Sequence, residues 1–202
     1  MMRALWSNRW FSPARVLSVG LFALGALALA SAPPVRVERL DGTTVDPLAV
    51  GGEVKAIVFL FTSTDCPISN RYAPEVHRLV DQYGQKGVQF RLVYPNPADT
   101  TSSIREHMTA FSYAGGIEAY RDPKQTLVKF VGATITPETA VVVNGRVVYR
   151  GRIDNRYVDL GLERPAATKH DLGDALAAIL AGKPVADPIT QAVGCFIADF
   201  AR

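Results

Sequence analysis

The stretch from Lys55 to Pro67 constrains this chain more than any other. Lys-Ala-Ile-Val-Phe-Leu-Phe is a compact apolar run with β-branched and aromatic content, the pattern of a strand buried on both faces inside a sheet. The polar patch Thr62-Ser63-Thr64-Asp65 ends it. Cys66-Pro67 then opens a helical pattern that runs to about Lys86, with Val76, Leu79, Val80 and Tyr83 at helical spacing. Buried strand, tight polar loop and helix leave Cys66 at the joint. A thiol is a nucleophile only as thiolate, and a helix N-terminus supplies N–H donors and partial positive charge that stabilise one. Pro67 suits the first helical turn, where its missing N–H would be unpaired anyway and its fixed φ pre-sets the helix. The terminus contributes only roughly 0.3–2 kcal/mol, and the neighbouring Asp65 opposes it. An extreme thiolate is therefore not expected.

The rest of the chain alternates strand and helix signals. Val35 to Leu40 reads as a short strand turning at Asp41-Gly42 into Thr43 to Asp46. Val88 to Tyr94 is the next strand, followed by a weaker helical pattern over Thr100 to Phe111, a short strand at Ile117 to Tyr120 and a short helix at Lys124 to Val131. Asn144-Gly145 joins Thr139 to Val143 and Arg146 to Arg150 as an antiparallel hairpin. A final helix is predicted over Thr168 to Ala181, with Thr168 and Asp171 spaced as a capping pair and Gly182 and Pro184 as its stop. Strand-helix alternation of this kind indicates an α/β layer.

Residues 1–30 read as an export signal, with Arg3, Arg9 and Arg15 before the apolar run Val16 to Ala30. Ala28-Leu29-Ala30 is a small-x-small cleavage site that would start the mature chain at Ser31. The rival is an uncleaved N-terminal membrane anchor, since Val16 to Val35 approaches the ~20 residues of a spanning helix. Either way the arginines stay cytoplasmic and the remainder is sent across, to a periplasmic or other extracytoplasmic location. A membrane partner is expected only if the segment is uncleaved. Removing these three arginines leaves 19 basic against 19 acidic residues. A neutral domain without a Lys/Arg cluster gives no electrostatic case for nucleic acid. The two cysteines, Cys66 and Cys195, reach a compartment that permits disulfides, which makes their pairing allowed rather than implied.

Phe59-Leu60-Phe61-Thr62-Ser63-Thr64-Asp65-Cys66-Pro67-Ile68-Ser69-Asn70-Arg71-Tyr72-Ala73-Pro74 resembles the active-site region of thioredoxin-like redoxins, the class that includes alkyl hydroperoxide reductases and thiol-specific antioxidant proteins. Pro74 stands eight residues after Cys66, like the kink-forming proline of thioredoxins, and Thr136-Pro137 before an apolar strand looks like their cis-proline. The resemblance covers about residues 35–182 and leaves 183–202 as a tail carrying Cys195. It implies an α/β, thioredoxin-like fold: a central mixed β-sheet flanked by α-helices, with a cis Thr136-Pro137 bond facing Cys66 across a substrate groove. The departures are specific. Ser69 replaces the second cysteine of Cys-x-x-Cys, and Asp65 stands where tryptophan is usual. Of the peroxiredoxin pattern Pro-x-x-x-Thr-x-x-Cys, Phe59 replaces the proline and Ser63 keeps only the hydroxyl. Gly151-Arg152-Ile153-Asp154 and the tail cysteine also match a redoxin subgroup.

The resemblance implies an extracytoplasmic thiol-disulfide oxidoreductase or thiol-dependent antioxidant redoxin without a cofactor. Cys66 would attack a protein disulfide or a peroxide, with Thr136, Pro137, Ser63 and Pro67 bordering the substrate, and an electron donor would be needed. Cys195 has three open readings: resolving thiol, structural bridge to Cys66, or free thiol. The alternative function is a non-catalytic binding or copper-handling module. Copper-delivering Sco-type relatives use Cys-x-x-x-Cys plus a distant histidine, and Asn70 fills the second cysteine position here, so no metal site is expected. His77, His107 and His170 read as solvated surface residues.

Overall fold

A computed structural model describes residues 34–113 and 117–198; the expected export segment, residues 1–30, lies outside them. Eleven strands and five α-helices are formed among the described residues. Seven strands make one sheet in the order β2 (Thr44–Val45), β1 (Val37–Arg39), β5 (Glu118–Arg121), β4 (Val88–Tyr94), β3 (Ala56–Phe61), β7 (Glu138–Val143), β8 (Arg146–Gly151). The sheet is mixed. β3 runs parallel to β4 and β4 to β5, while β7 lies antiparallel to both β3 and β8.

The apolar run is an interior strand because both of its faces are covered. Val58 and Leu60 point into a core shared with Val76 and Leu79 of one helix and Leu172 and Leu176 of another, while Ile57, Phe59 and Phe61 pack with Leu127, Val128 and Val131 on the opposite face. At about 1.5–3 kcal/mol for each fully buried large apolar side chain, this strand anchors both layers. Its end is thereby fixed. Thr62 N–H extends the ladder to Val93 O (2.9 Å), so the loop before Cys66 leaves the sheet beside the loop that follows β4.

The helix expected from Pro67 to Lys86 is broken. α1 (Pro67–Arg71) stops at Tyr72, α2 (Ala73–Tyr83) restarts, and Gly84–Lys86 is a 3₁₀ turn. Pro74 causes the break, because it has no N–H to give Asn70 O. α3 (Thr101–Ala110) is capped by the Thr100 hydroxyl, which accepts from Ser103 N–H. α4 (Thr126–Val131) is shorter than its sequence pattern, because Asp122 takes the N–H groups of Thr126, Leu127 and Val128 on its carboxylate.

α5 (Asp171–Leu180) also starts later than expected, and Thr168 and Asp171 do not cap it. Asp171 instead makes a two-pronged ion pair with Arg152 (2.8 and 3.0 Å), while the Thr168 hydroxyl accepts from Asn155 (2.8 Å). A hairpin that the sequence pattern did not indicate, β9 (Tyr157–Asp159) with β10 (Leu162–Glu163), lies between β8 and α5.

The tail is laid against the domain rather than standing apart. Ile189 bridges to Arg150 of β8, Thr190 N–H donates to Arg150 O (3.0 Å), and its hydroxyl meets Tyr149 and Arg152 N–H. Beyond this strap, β11 (Cys195–Phe196) pairs antiparallel with β6 (Ile135–Thr136). No helix among the described residues is long and apolar enough to cross a membrane.

Candidate active site at the Cys66–Cys195 pair

Cys66 is the N-cap residue of α1, in an extended conformation, and is 1% exposed. Its carbonyl accepts the first helical hydrogen bond from Asn70 N–H (3.1 Å). Across from it, the Thr136-Pro137 peptide bond is cis, as the resemblance implied, and Thr136 O accepts from the Cys66 thiol (3.2 Å). The loops after β3 and β4 and the segment before β7 therefore meet over the carboxyl ends of two parallel strands, where open α/β sheets hold their sites.

Cys195 arrives from the other end of the chain. In the β6–β11 register it stands opposite Thr136, which brings its sulfur to 2.9 Å from that of Cys66, unbonded. Ile197 N–H donates to Thr134 O (2.9 Å) and the Gln125 side-chain amide to Ala198 O (2.6 Å), which hold the strand beyond Cys195. Gly194 makes this approach geometrically feasible: a Cβ there would lie 2.0 Å from Thr136 O. A disulfide would close the sulfurs to about 2.05 Å.

The two thiols are not equivalent. Burial pushes the Cys66 thiol up, but donation from Cys195, from the Ser69 hydroxyl and N–H and from Thr136 outweighs it, so its pKa lies below that of an ordinary cysteine. Burial, the hydrogen bond to Cys66 and the negative charge there and on Asp65 push Cys195 up to about 12. Cys66 is therefore the more acidic thiol of the pair and Cys195 the less acidic. Ser69, in the place of a second motif cysteine, is buried with a hydroxyl that lacks a partner in the thiol form. Ionisation of Cys66 gives that hydroxyl an acceptor.

The other sequence-predicted residues surround the pair. Ser63, Asp65, Thr136 and Cys195 border a cavity of about 190 Å³ closed by Pro95, Asn96 and residues 196–198, and no arginine among the described residues lines it. The Ser63 hydroxyl is committed to Asp65 (2.5 Å), and its carbonyl accepts from Cys66 N–H (3.4 Å). Pro67 is the exposed first residue of α1, while Pro137 is buried beside a void of about 10 Å³ that Ser69 also lines.

Two buried groups went unrecognised in the sequence pattern. His107 is buried, not on the surface: Tyr94 OH donates to its Nδ1 (2.9 Å) and its Nε2 donates to Asn70 Oδ1 (2.8 Å), tying α3 to α1. His77 is half-buried against Phe111 O (2.9 Å), and only His170 is exposed as expected. Asp99 is buried, accepts from the Thr64 hydroxyl (2.5 Å) and leaves Oδ2 unpaired, so burial pushes its carboxyl up. Its place after β4, at the carboxyl end of a parallel strand, was the available signal for it. Among the described residues, the group with three metal-ligating side chains is Glu75, Asp154 and His170, which includes neither cysteine. Glu75 there is held by Arg78, and Asp154 by Tyr72 OH.

A mixed sheet flanked by helices, with a cysteine at a strand-to-helix joint facing a cis-proline, defines a thioredoxin-like protein. The Redoxin family profile matches residues 28–160, and the chain belongs to the Redoxin family. Similar solved structures include an uncharacterized conserved protein of Geobacillus kaustophilus, 27% identical, covering 82% of this chain and 88% of that one with a TM-score of 0.69. A hypothetical protein of Sinorhizobium meliloti is 24% identical, covers 80% and 88%, and has a TM-score of 0.66. The dsbF protein of MTB, determined in mixed oxidized and reduced forms, is 19% identical over 72% and 95%, with a TM-score of 0.52. No curated protein matches the chain at a significant level.

Proposed function

We propose that this protein is an extracytoplasmic thiol-disulfide oxidoreductase in which Cys66 is the nucleophile and Cys195 the resolving thiol. The observation that carries the reading is the 2.9 Å approach of two sulfurs 129 residues apart, the first with its pKa pushed down and the second with its pKa pushed up. The Cys66 thiolate attacks one sulfur of a substrate disulfide, forming a mixed disulfide and expelling the other sulfur as thiolate. Cys195, losing its proton, then attacks Cys66 Sγ, expels the second substrate thiolate and closes the internal disulfide. The substrate gains two electrons and the protein loses two. The Thr136 and Pro137 backbone and Ser63 border the substrate, and Pro67 orients α1 beneath it.

A peroxide that reached Cys66 would be reduced to water or alcohol as Cys66 becomes a sulfenic acid, which Cys195 would resolve as a disulfide with release of water. The acidic Asp65 at the cavity favours disulfide exchange over this antioxidant chemistry. The N-terminal arginines and apolar run support export, and a neutral domain without a Lys/Arg cluster gives no electrostatic case for nucleic acid.

Intact mass of the mature protein, taken before and after one equivalent of hydrogen peroxide and with or without an alkylating reagent, tests the pair. Two free thiols becoming a Cys66–Cys195 disulfide that dithiothreitol reverses is the expected result. An already bridged pair that resists reduction, or an unmodified Cys66, would overturn the catalytic reading.

A further inference from the structure

Four of the seven exposed large hydrophobic residues among those described, Val158, Leu160, Ile189 and Phe196, line a single open groove of about 600 Å³ and are between 46% and 85% exposed. Single apolar residues scattered over a surface are ordinary, whereas a cluster drawn from the β9–β10 hairpin, the strap and β11 marks an interaction site. One wall is the hairpin. The other is the strap of residues 189–194, which lies beyond the residues that the family profile matches. The groove leads to the redox pair: Gly194 and Phe196 line it on either side of Cys195, and Phe196 also lines the cavity of about 190 Å³ beside that thiol.

We propose that this groove holds an extended segment of a partner protein, the stretch of chain beside the cysteine that exchanges with the Cys66–Cys195 pair, and that this stretch is apolar and carries a basic residue. The proposal rests on the thiol-disulfide reading above and names its substrate class, protein cysteines in extended apolar surroundings rather than small disulfides.

The backbone of the strap suits an extended chain. Residues 191–194 lie outside any strand, all four line the groove, and their N–H groups donate to no acceptor among the described residues. A strand laid beside such groups pairs with them, while its alternate side chains reach the apolar residues of one face. The charge suits a basic residue. Glu138 is buried in the groove and paired with Arg150 (3.6 Å), so that arginine is already compensated. Asp159 on the hairpin wall accepts from Leu160 N–H (2.7 Å) and Asp65 at the adjoining cavity from the Ser63 hydroxyl (2.5 Å), and neither forms an ion pair among the described residues. The uncompensated charge along the path is negative. A Lys or Arg of the segment complements it, whereas an acidic ligand such as oxidised glutathione is disfavoured.

The probes are the peptide Lys-Val-Thr-Val-Cys-Thr, joined to a second copy of itself through a disulfide, and its polar counterpart Glu-Ser-Thr-Ser-Cys-Thr, joined likewise, with oxidised glutathione as the small reference. Reduction by the reduced mature protein is followed by chromatography of acid-quenched samples. Docking is read separately, by fluorescence anisotropy of labelled peptides in which serine replaces the cysteine. The apolar basic peptide is expected to bind saturably and, relative to glutathione, to be reduced at least about tenfold faster than its counterpart, the factor that burying one large apolar side chain supplies. Leu160→Ser and Ile189→Ser should remove that preference, and Val50→Ser, exposed but outside the groove, should keep it. Equal binding and equal rates for the two peptides, or a preference that survives both groove variants, overturns the proposal while leaving the oxidoreductase reading intact. So does a dimer in analytical ultracentrifugation that Leu160→Ser dissolves, which would assign the groove to a second copy of the chain. Reduction of none of the three disulfides overturns the oxidoreductase reading and this proposal with it.

Discussion

The two cysteines of this protein are positioned by opposite means. Cys66 is the product of local structure, standing five residues beyond an interior strand whose two faces are sealed, with a helix that begins on the next residue. Cys195 lies on a two-residue strand held by Thr136, Thr134 and Gln125, after a strap across β8. The difference teaches a division of labour. A thiolate needs a fixed set of donors, which a helix terminus supplies; a resolving thiol needs to reach and to withdraw, which a lightly anchored tail allows.

The comparison breaks most completely at Cys66. Cys66→Ser is expected to abolish turnover, measured as reduction of a disulfide substrate, whereas Cys195→Ser is expected to retain the first attack and accumulate a mixed disulfide visible by intact mass. Equal loss in both variants without any trapped adduct would show that the two sulfurs do not divide the reaction.

Gly194→Ala attacks the tail without altering either sulfur. The new methyl would collide with the Thr136 carbonyl backbone, which cannot yield as a flexible side chain would, so β11 must lift. A displacement on the order of 1 Å costs about a hundredfold in a positioned reaction. Disulfide closure should fall toward that extent, while Cys66 becomes more open to iodoacetamide. Unchanged closure would mean that Cys195 reaches Cys66 by another route.

Ser69→Ala sharpens the account of the thiolate. Losing one hydrogen bond removes roughly 0.5–1.5 kcal/mol of stabilisation. Because Cys66 is held below the ordinary thiol range, its alkylation rate in the wild type should reach a plateau at a lower pH than that of free cysteine. The variant should shift that profile upward, and Ser69→Thr should restore it if the methyl fits. An unmoved profile would assign the stabilisation to the helix N–H groups and Cys195.

The smallest effect is expected from His107, which supports α1 from behind. Burial lowers its pKa below the ordinary 6.5, so the native state binds fewer protons than the unfolded chain as pH drops through that value. Stability therefore falls with falling pH below about 6.5, and is unaffected by this group above it. Denaturation midpoints at pH 7.5 and 5.5 should show that loss, and His107→Gln should flatten it. The same slope in both proteins would place the titration elsewhere.

The strand at Ala56–Phe61, the Cys66-Pro67 joint, the Asn144-Gly145 hairpin and the parallel layer were all legible because each is written in neighbouring residues. Their signals are periodicity, turn chemistry and helix-start preference, which act over one or two turns of chain. Element ends were less legible. Thr168 and Asp171 have the spacing of a cap, yet Arg152 and Asn155, distant in sequence, claim both side chains. His107 looked like a surface residue in a weak helix and became buried because Tyr94 and Asn70 satisfy both its nitrogens.

By itself, then, the sequence determined where Cys66 would sit, because strand burial and helix capping are local, and its resemblance to thioredoxin-like redoxins named the proline that would face it. Only the tertiary structure decided where Cys195 lies. The chain left three readings of it open, and the register of a two-residue ladder brought its sulfur to 2.9 Å from Cys66. A pairing across 129 residues depends on backbone hydrogen bonds and a glycine contact that carry no periodic signal.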